Sequence, residues 1–149
     1  MSVIHSGFTI TRDIAVPAER AFAAFADRDQ KKAWFTDGPQ WDTTDEAFDF
    51  RVGGLEVAEG QFHDGPLSRF VATYTDIVEN QRIVLTYDMW LDGAHISTSV
   101  ASYEFEAIDG GTRFTHTEHG IHLDGLDSPA DREEGTREII EELVKYLEG

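Results

Sequence analysis

SPADREEGTREIIEELVKYLE, residues 128–148, is the stretch whose reading decides the fold. Ser128 followed by Pro129 is a helix start, because a serine hydroxyl caps free amides and proline fits the first helical position. Asp131, Glu133 and Glu134 place negative charge in the first turns, where the helix dipole favours it. Beyond Gly135, the residues Ile139, Ile140, Leu143, Val144, Tyr146 and Leu147 recur at three- and four-residue steps and form a wide apolar stripe. Glu138, Glu141, Glu142 and Glu148 lie mostly off it. Such a helix needs a large apolar partner surface, and the upstream chain is patterned to supply one.

Phe8 to Val16 reads as a strand with Phe8, Ile10, Ile14 and Val16 on one face. Arg12 falls on that same apolar face. Pro17 stops the strand and opens a helix over Ala18 to Ala26, anchored inward by Phe22 and Phe25. A second short helix, from about Asp29 to Phe35, carries Trp34 and ends at Asp37-Gly38-Pro39. From Phe48 onward the texture is of strands separated by turns. Phe48 and Phe50 share a face, Gly53-Gly54 turns the chain, and Leu55 to Phe62 returns as the partner strand. Four further strands are expected over Phe70–Val78, Arg82–Trp90, His95–Ala107 and Thr112–His119, with connectors short enough for antiparallel neighbours. Parity puts Ile83, Leu85, Tyr87 and Met89 on one face, with Tyr103 and Phe105, and then Phe114, His116 and Glu118, sharing faces in the next two strands. The order is strand, two short helices, a six-strand meander and one long helix. It implies an α+β fold, a curved antiparallel sheet facing the final helix.

A chain of 149 residues reads as one domain, residues 1–149, able to bury a sizeable core. The formal charge of −17, from 12 basic and 29 acidic residues without a basic block, argues against nucleic acid or an anionic membrane as partner. A cationic partner and a merely solubilising acidic surface both fit it. No stretch has the run of about 18–20 apolar residues a membrane span requires, and the N-terminus lacks the pattern of a signal peptide. The absence of cysteine removes disulfides, thiolate metal sites and cysteine nucleophiles. A cytoplasmic protein fits these features.

Several ordered motifs resemble the START-like, or SRPBCC, superfamily with its helix-grip fold, and within it the bacterial group related to the activator of heat-shock-protein-90 ATPase. They are Arg12-Asp13-Ile14-Ala15-Val16-Pro17 leading into Phe22, Trp34-Phe35, Phe48-Asp49-Phe50-Arg51-Val52-Gly53-Gly54 and Tyr74-Thr75-Asp76-Ile77-Val78. Further on come Arg82-Ile83-Val84-Leu85, Gly111-Thr112-Arg113-Phe114-Thr115, Thr117-Glu118-His119-Gly120, Leu123-Asp124-Gly125 and Arg132-Glu133-Glu134-Gly135-Thr136. The resemblance covers nearly the whole chain. It implies a cavity between sheet and C-terminal helix for a hydrophobic or amphipathic small molecule. In some relatives it implies polyketide cyclase or aromatase activity, in others a chaperone partner. Relatives often carry Gly-Trp where this chain has Gly135-Thr136.

Glu118 is the most informative candidate. A carboxylate on the face of Phe114 and His116 must be paired, since an isolated buried charge is very costly. The helix-grip arrangement sets the first strand beside the last, so Arg12 is the expected partner. That pair could orient a ligand or move a proton, or could simply fix strand register. His116, His119 and His122 have the wrong spacing for a helical zinc motif, and on a strand His116 and His119 point to opposite faces, so no metal site is expected. No serine lies in a nucleophile elbow, and Gly53-Gly54 and Gly110-Gly111 are hairpin turns rather than phosphate loops. Most of the aromatics must fill the core. Tyr87, Tyr103 and His116 are the polar tips expected at a cavity.

The sequence therefore points to a protein without cofactor that binds a hydrophobic small molecule. Its expected polar contacts are Arg12, Tyr74, Tyr87, Tyr103, His116 and Glu118. Trp34 and Phe50 are the expected aromatic contacts, and Ile139 and Leu143 the contacts from the helix. An enzyme using Glu118 or His116 as acid–base groups is the alternative. A homodimer and a chaperone partner are both compatible with the sequence.

Overall fold

The structure is a computed structural model that describes residues 2–149. In chain order the elements are β1 (Val3–Ile14), α1 (Ala18–Ala26), α2 (Arg28–Phe35), β2 (Trp41–Phe48), β3 (Leu55–Phe62), β4 (Leu67–Val78), β5 (Arg82–Leu91), β6 (Ala94–Ile108), β7 (Gly111–Leu123) and α3 (Pro129–Glu148). The seven strands form one antiparallel sheet in the order β1-β7-β6-β5-β4-β3-β2, so β2 to β7 make the meander and β1 closes beside β7. Register shifts between Thr43 and Asp45, Tyr74 and Asp76, and Met89 and Trp90 mark bulges, which increase the local twist and curve the sheet.

The three helices cover the concave face. Ser128 caps α3 by accepting the Asp131 amide at 3.0 Å, with Pro129 at the first position. The buried side of α3 is Thr136, Ile140, Leu143 and Leu147, a four-three-four spacing that meets Phe25, Phe114 and Ile10 in one core cluster. Fully burying each of the aliphatic residues contributes about 1.5–3 kcal/mol relative to exposure. Ile139, one residue and about 100° away from Ile140, lies at the surface, 37% exposed. It is not among the residues that line the cavity described below, whereas Ile140 and Leu143 are.

A correction concerns the edge of the sheet. The first strand of the meander is Trp41–Phe48, and Phe50 lies beyond it in the connection to β3. Residues Asp42 to Ala47 are exposed, so β2 carries no alternating apolar pattern to read. Charged residues along an outer strand also discourage pairing with other chains.

The β6–β7 hairpin turns through Gly110 at φ +83°, a left-handed conformation that favours glycine. Its neighbour Gly111 is required for a different reason. A Cβ there would stand 2.1 Å from the Ile14 carbonyl oxygen, and that oxygen belongs to backbone. Gly111→Ala is expected to cost about 1–3 kcal/mol of overpacking strain, read as a lower urea midpoint with an unchanged m-value.

Candidate ligand site between sheet and helices

The concave face carries more polar groups than a simple core needs. On β7, alternate residues Phe114, His116, Glu118 and His122 face inward and are buried, while His119 is exposed on the other side. Glu118 is 2% exposed, and both its oxygens are engaged. Oε2 accepts from the Tyr87 hydroxyl at 2.6 Å, and Oε1 accepts from His116 Nε2–H at 3.1 Å. Arg132, on the first turn of α3, donates to the Tyr87 hydroxyl at 3.2 Å, the Ser97 hydroxyl at 2.7 Å and Asp127 Oδ2 at 2.7 Å. Its guanidinium is also 3.9 Å from Glu118 Oε2. His122 continues the chain of contacts to Asp127 at 3.3 Å and Ser6 at 3.4 Å. The network ties the start of α3 to β5, β6 and β7.

A second buried pair lies toward α2. Lys31 Nζ, from a residue only 5% exposed, donates to Glu56 Oε1 at 3.0 Å, and the Tyr74 hydroxyl donates to the same oxygen. The Lys31 ammonium also stands 4.5 Å from the Phe35 ring centroid and 5.5 Å from that of Trp34, within cation–π range. Burial raises the Tyr74, Tyr87 and Tyr103 phenols above their ordinary value. Neighbouring Glu56 adds to this at Tyr74 and Glu118 at Tyr87, so all three stay protonated donors at neutral pH.

Between these networks is a cavity of about 30 Å³, bordered by Phe25, Trp34, Tyr103, Phe114, His116 and Leu143. Two of its lining residues carry a polar atom with no hydrogen-bond partner among the described residues, the Tyr103 hydroxyl and His116 Nδ1. The volume accommodates one or two waters; pockets for drug-sized ligands are roughly 300–1,000 Å³. In this conformation the space is too small for a ligand much larger than water. Lys31 and Phe35 separate it from a second void of about 40 Å³ between α2 and the β2–β3 hairpin.

The family model described as Activator of Hsp90 ATPase homolog 1-like protein matches residues 15–148. The chain belongs to this family. Its helix-grip architecture is that of the START-like superfamily. The Rhizobium loti protein Mll3558 is 43% identical, with a TM-score of 0.91 over 99% of this chain and 100% of its own. A Rhizobium leguminosarum protein is 36% identical, with a TM-score of 0.94 over 99% of this chain and 97% of its own. The solution structure of an AHSA1-like protein from Aeromonas hydrophila, at 24% identity, shares the fold with a TM-score of 0.74, covering 96% and 92% of the two chains. No curated protein matches the sequence. No helix is long and apolar enough to cross a membrane.

The residues singled out from the sequence are distributed unevenly around this family's concave face. Trp34, Tyr103, His116 and Leu143 border the cavity. Trp34 uses its indole N–H on the Ala24 carbonyl at 2.9 Å, so it offers a ligand only its ring. The hydroxyls of Tyr74 and Tyr87 are committed to Glu56 and Glu118, and Phe50 packs edge-on against Tyr74 with centroids 5.0 Å apart. Glu118 sits behind His116 and not on the cavity wall.

Arg12 does not meet Glu118. It faces inward as expected, but its Nε donates to Glu141 of α3 at 2.7 Å. Antiparallel register explains this, because Arg12 pairs with Phe114 while Glu118 pairs with Phe8, four residues or about 13 Å along the strand. The cation beside Glu118 is instead Arg132. Its position in an acidic first turn, where the helix dipole disfavours a cation, was the available signal that it serves a tertiary contact. Thr136 is buried and donates back to the Arg132 carbonyl at 2.8 Å.

Proposed function

We propose that the interior between sheet and α3 binds a small amphipathic molecule, held by its apolar body against Phe25, Trp34, Phe114 and Leu143 and by a polar group on Tyr103. The observation that carries this reading is the Tyr103 hydroxyl, which has no hydrogen-bond partner among the described residues and belongs to the lining of a largely apolar cavity, while the hydroxyls of Tyr74 and Tyr87 and the carboxylates of Glu56 and Glu118 are paired. A ligand acceptor that pairs with this hydroxyl contributes about 0.5–1.5 kcal/mol net, the usual worth of one neutral hydrogen bond. A ligand larger than water requires the cavity to open. A displacement of α2 would have to break the Lys31–Glu56 pair and the Trp34–Ala24 hydrogen bond.

Native mass spectrometry of the purified protein tests for a retained ligand, and titration of variants tests the contact. Tyr103→Phe is expected to weaken binding about fivefold to tenfold, the loss of one neutral hydrogen bond. Equal affinity in wild type and Tyr103→Phe would remove Tyr103 from the site.

One observation favours a second reading, an enzyme with His116 as the acid–base group. Glu118 fixes the Nε2–H tautomer, which leaves Nδ1 of the neutral ring as a free acceptor at the cavity wall. Here Glu118 is a positioning residue. Glu118→Gln would preserve binding, lower turnover about 10²-fold or more and shift the pH profile. No turnover across a substrate panel decides for binding alone, whereas full activity of Glu118→Gln would remove Glu118 from the acid–base machinery.

A further inference from the structure

We infer that the group recognised in the cavity is uncharged, a carbonyl or hydroxyl on a flat apolar body, and that carboxylates are excluded; this rests on the interior binding reading above. The charges flanking the cavity are opposed from within the protein, Lys31 by Glu56 and Arg132 by Asp127 and Glu118. Two cations against three carboxylates leave this interior at a formal −1 with the histidines neutral. A ligand carboxylate would add a second uncompensated negative charge in a desolvated space. The one cation on the cavity wall is Lys31, and the newcomer would have to share it with Glu56, which is 3.0 Å from the ammonium. An amine fares no better, because it would stand beside the Lys31 ammonium with no carboxylate on the cavity wall to receive it, Glu118 lying behind His116.

What the wall does offer is a neutral donor and a neutral acceptor, the Tyr103 hydroxyl and His116 Nδ1, between the rings of Phe25, Trp34 and Phe114. That pairing suits a ketone or alcohol on an aromatic ring. The −17 surface acts in the same direction on approach, repelling anions before they reach the protein.

Acetophenone, benzoate and benzylamine share a ring and differ in charge. Titrated separately into isotope-labelled full-length protein at neutral pH, acetophenone is expected to shift the Tyr103 and His116 resonances at a concentration at least tenfold lower than either ion. Glu56→Gln removes the carboxylate that competes for Lys31, and in that variant benzoate should gain at least fivefold relative to acetophenone. Benzoate or benzylamine binding the wild type as tightly as the ketone at these same resonances would overturn the charge rule and leave the interior site standing. A Glu56→Gln protein that melts cooperatively yet shows no gain for benzoate would also overturn it. If none of the three shifts the cavity resonances, the interior binding reading falls together with the rule.

Discussion

Arg132→Met should destabilise the fold by about 3–5 kcal/mol, measured as the loss of unfolding free energy in urea, because it strips the cation from the buried Glu118 and the half-buried Asp127. Arg132 donates to Asp127 at 2.7 Å and stands 3.9 Å from Glu118, and it also supplies donors to Tyr87 and Ser97. Methionine replaces the stem of the side chain but none of these donors. The cost comes chiefly from what is left behind. Neutralising the carboxylates in the same protein, as Arg132→Met with Asp127→Asn and Glu118→Gln, is therefore expected to recover at least half of the loss. A single variant that loses less than about 1 kcal/mol would show that the guanidinium is effectively solvated. A triple variant no better than the single one would place the cost in packing.

The second large effect is a loss of stability at alkaline pH. Burial is the main cause that raises the Tyr74, Tyr87 and Tyr103 phenols above their ordinary value of 10.0, with Glu56 the next cause at Tyr74, Glu118 at Tyr87 and Tyr87 at Tyr103. Above pH 10 the unfolded chain releases these protons while the folded chain retains them, so the folded state binds more protons and stability falls as pH rises. Below pH 10 both states are protonated and this contribution is fully present. Each phenol changes stability by about 1.4 kcal/mol per pH unit in that window, and the three together by about 4 kcal/mol per unit. Urea midpoints across the alkaline range give the slope, and each Tyr→Phe variant should reduce it by about one third. A slope indifferent to all three substitutions would mean that the phenols ionise freely in the folded protein.

The strongest periodic segments carried most of the fold. Alternation on β5 and β7 and the three- and four-residue steps of α3 placed Ile83, Leu85, Tyr87, Phe114, His116 and Glu118 on the concave face, where they are buried. Period alone could not choose between Ile139 and Ile140, which are adjacent, because the choice depends on how α3 rolls against the sheet. Parity was right about the face of Arg12 and silent on its partner, since the strand register sets which residues stand opposite.

Glu56 was hidden for a different reason. On β3 the larger apolar residues Leu55 and Val57 face outward, while Glu56, Ala58 and Gly60 face in, the reverse of what hydrophobicity implies. The small inward residues leave room for neighbouring side chains, and a Cβ on Gly60 would lie 2.1 Å from the Trp41 ring. Lys31, on an eight-residue helix with a strongly polar sequence, likewise reads as solvated until the tertiary structure sets it beside Glu56. Buried ion pairs assembled across distant segments leave little trace in local pattern, because each partner is locally out of place and is stabilised only by the other.

The claim on which the functional reading depends is that the space between sheet and α3 opens to admit a ligand. A crystal structure grown with saturating acetophenone tests it most directly. The expected result is density for the ketone among Phe25, Trp34 and Phe114, with its oxygen within hydrogen-bond distance of the Tyr103 hydroxyl and the cavity grown well beyond its present 30 Å³ or so. A saturated crystal in which the cavity keeps its present volume, and the ketone is absent or bound only on the outer surface, would contradict it.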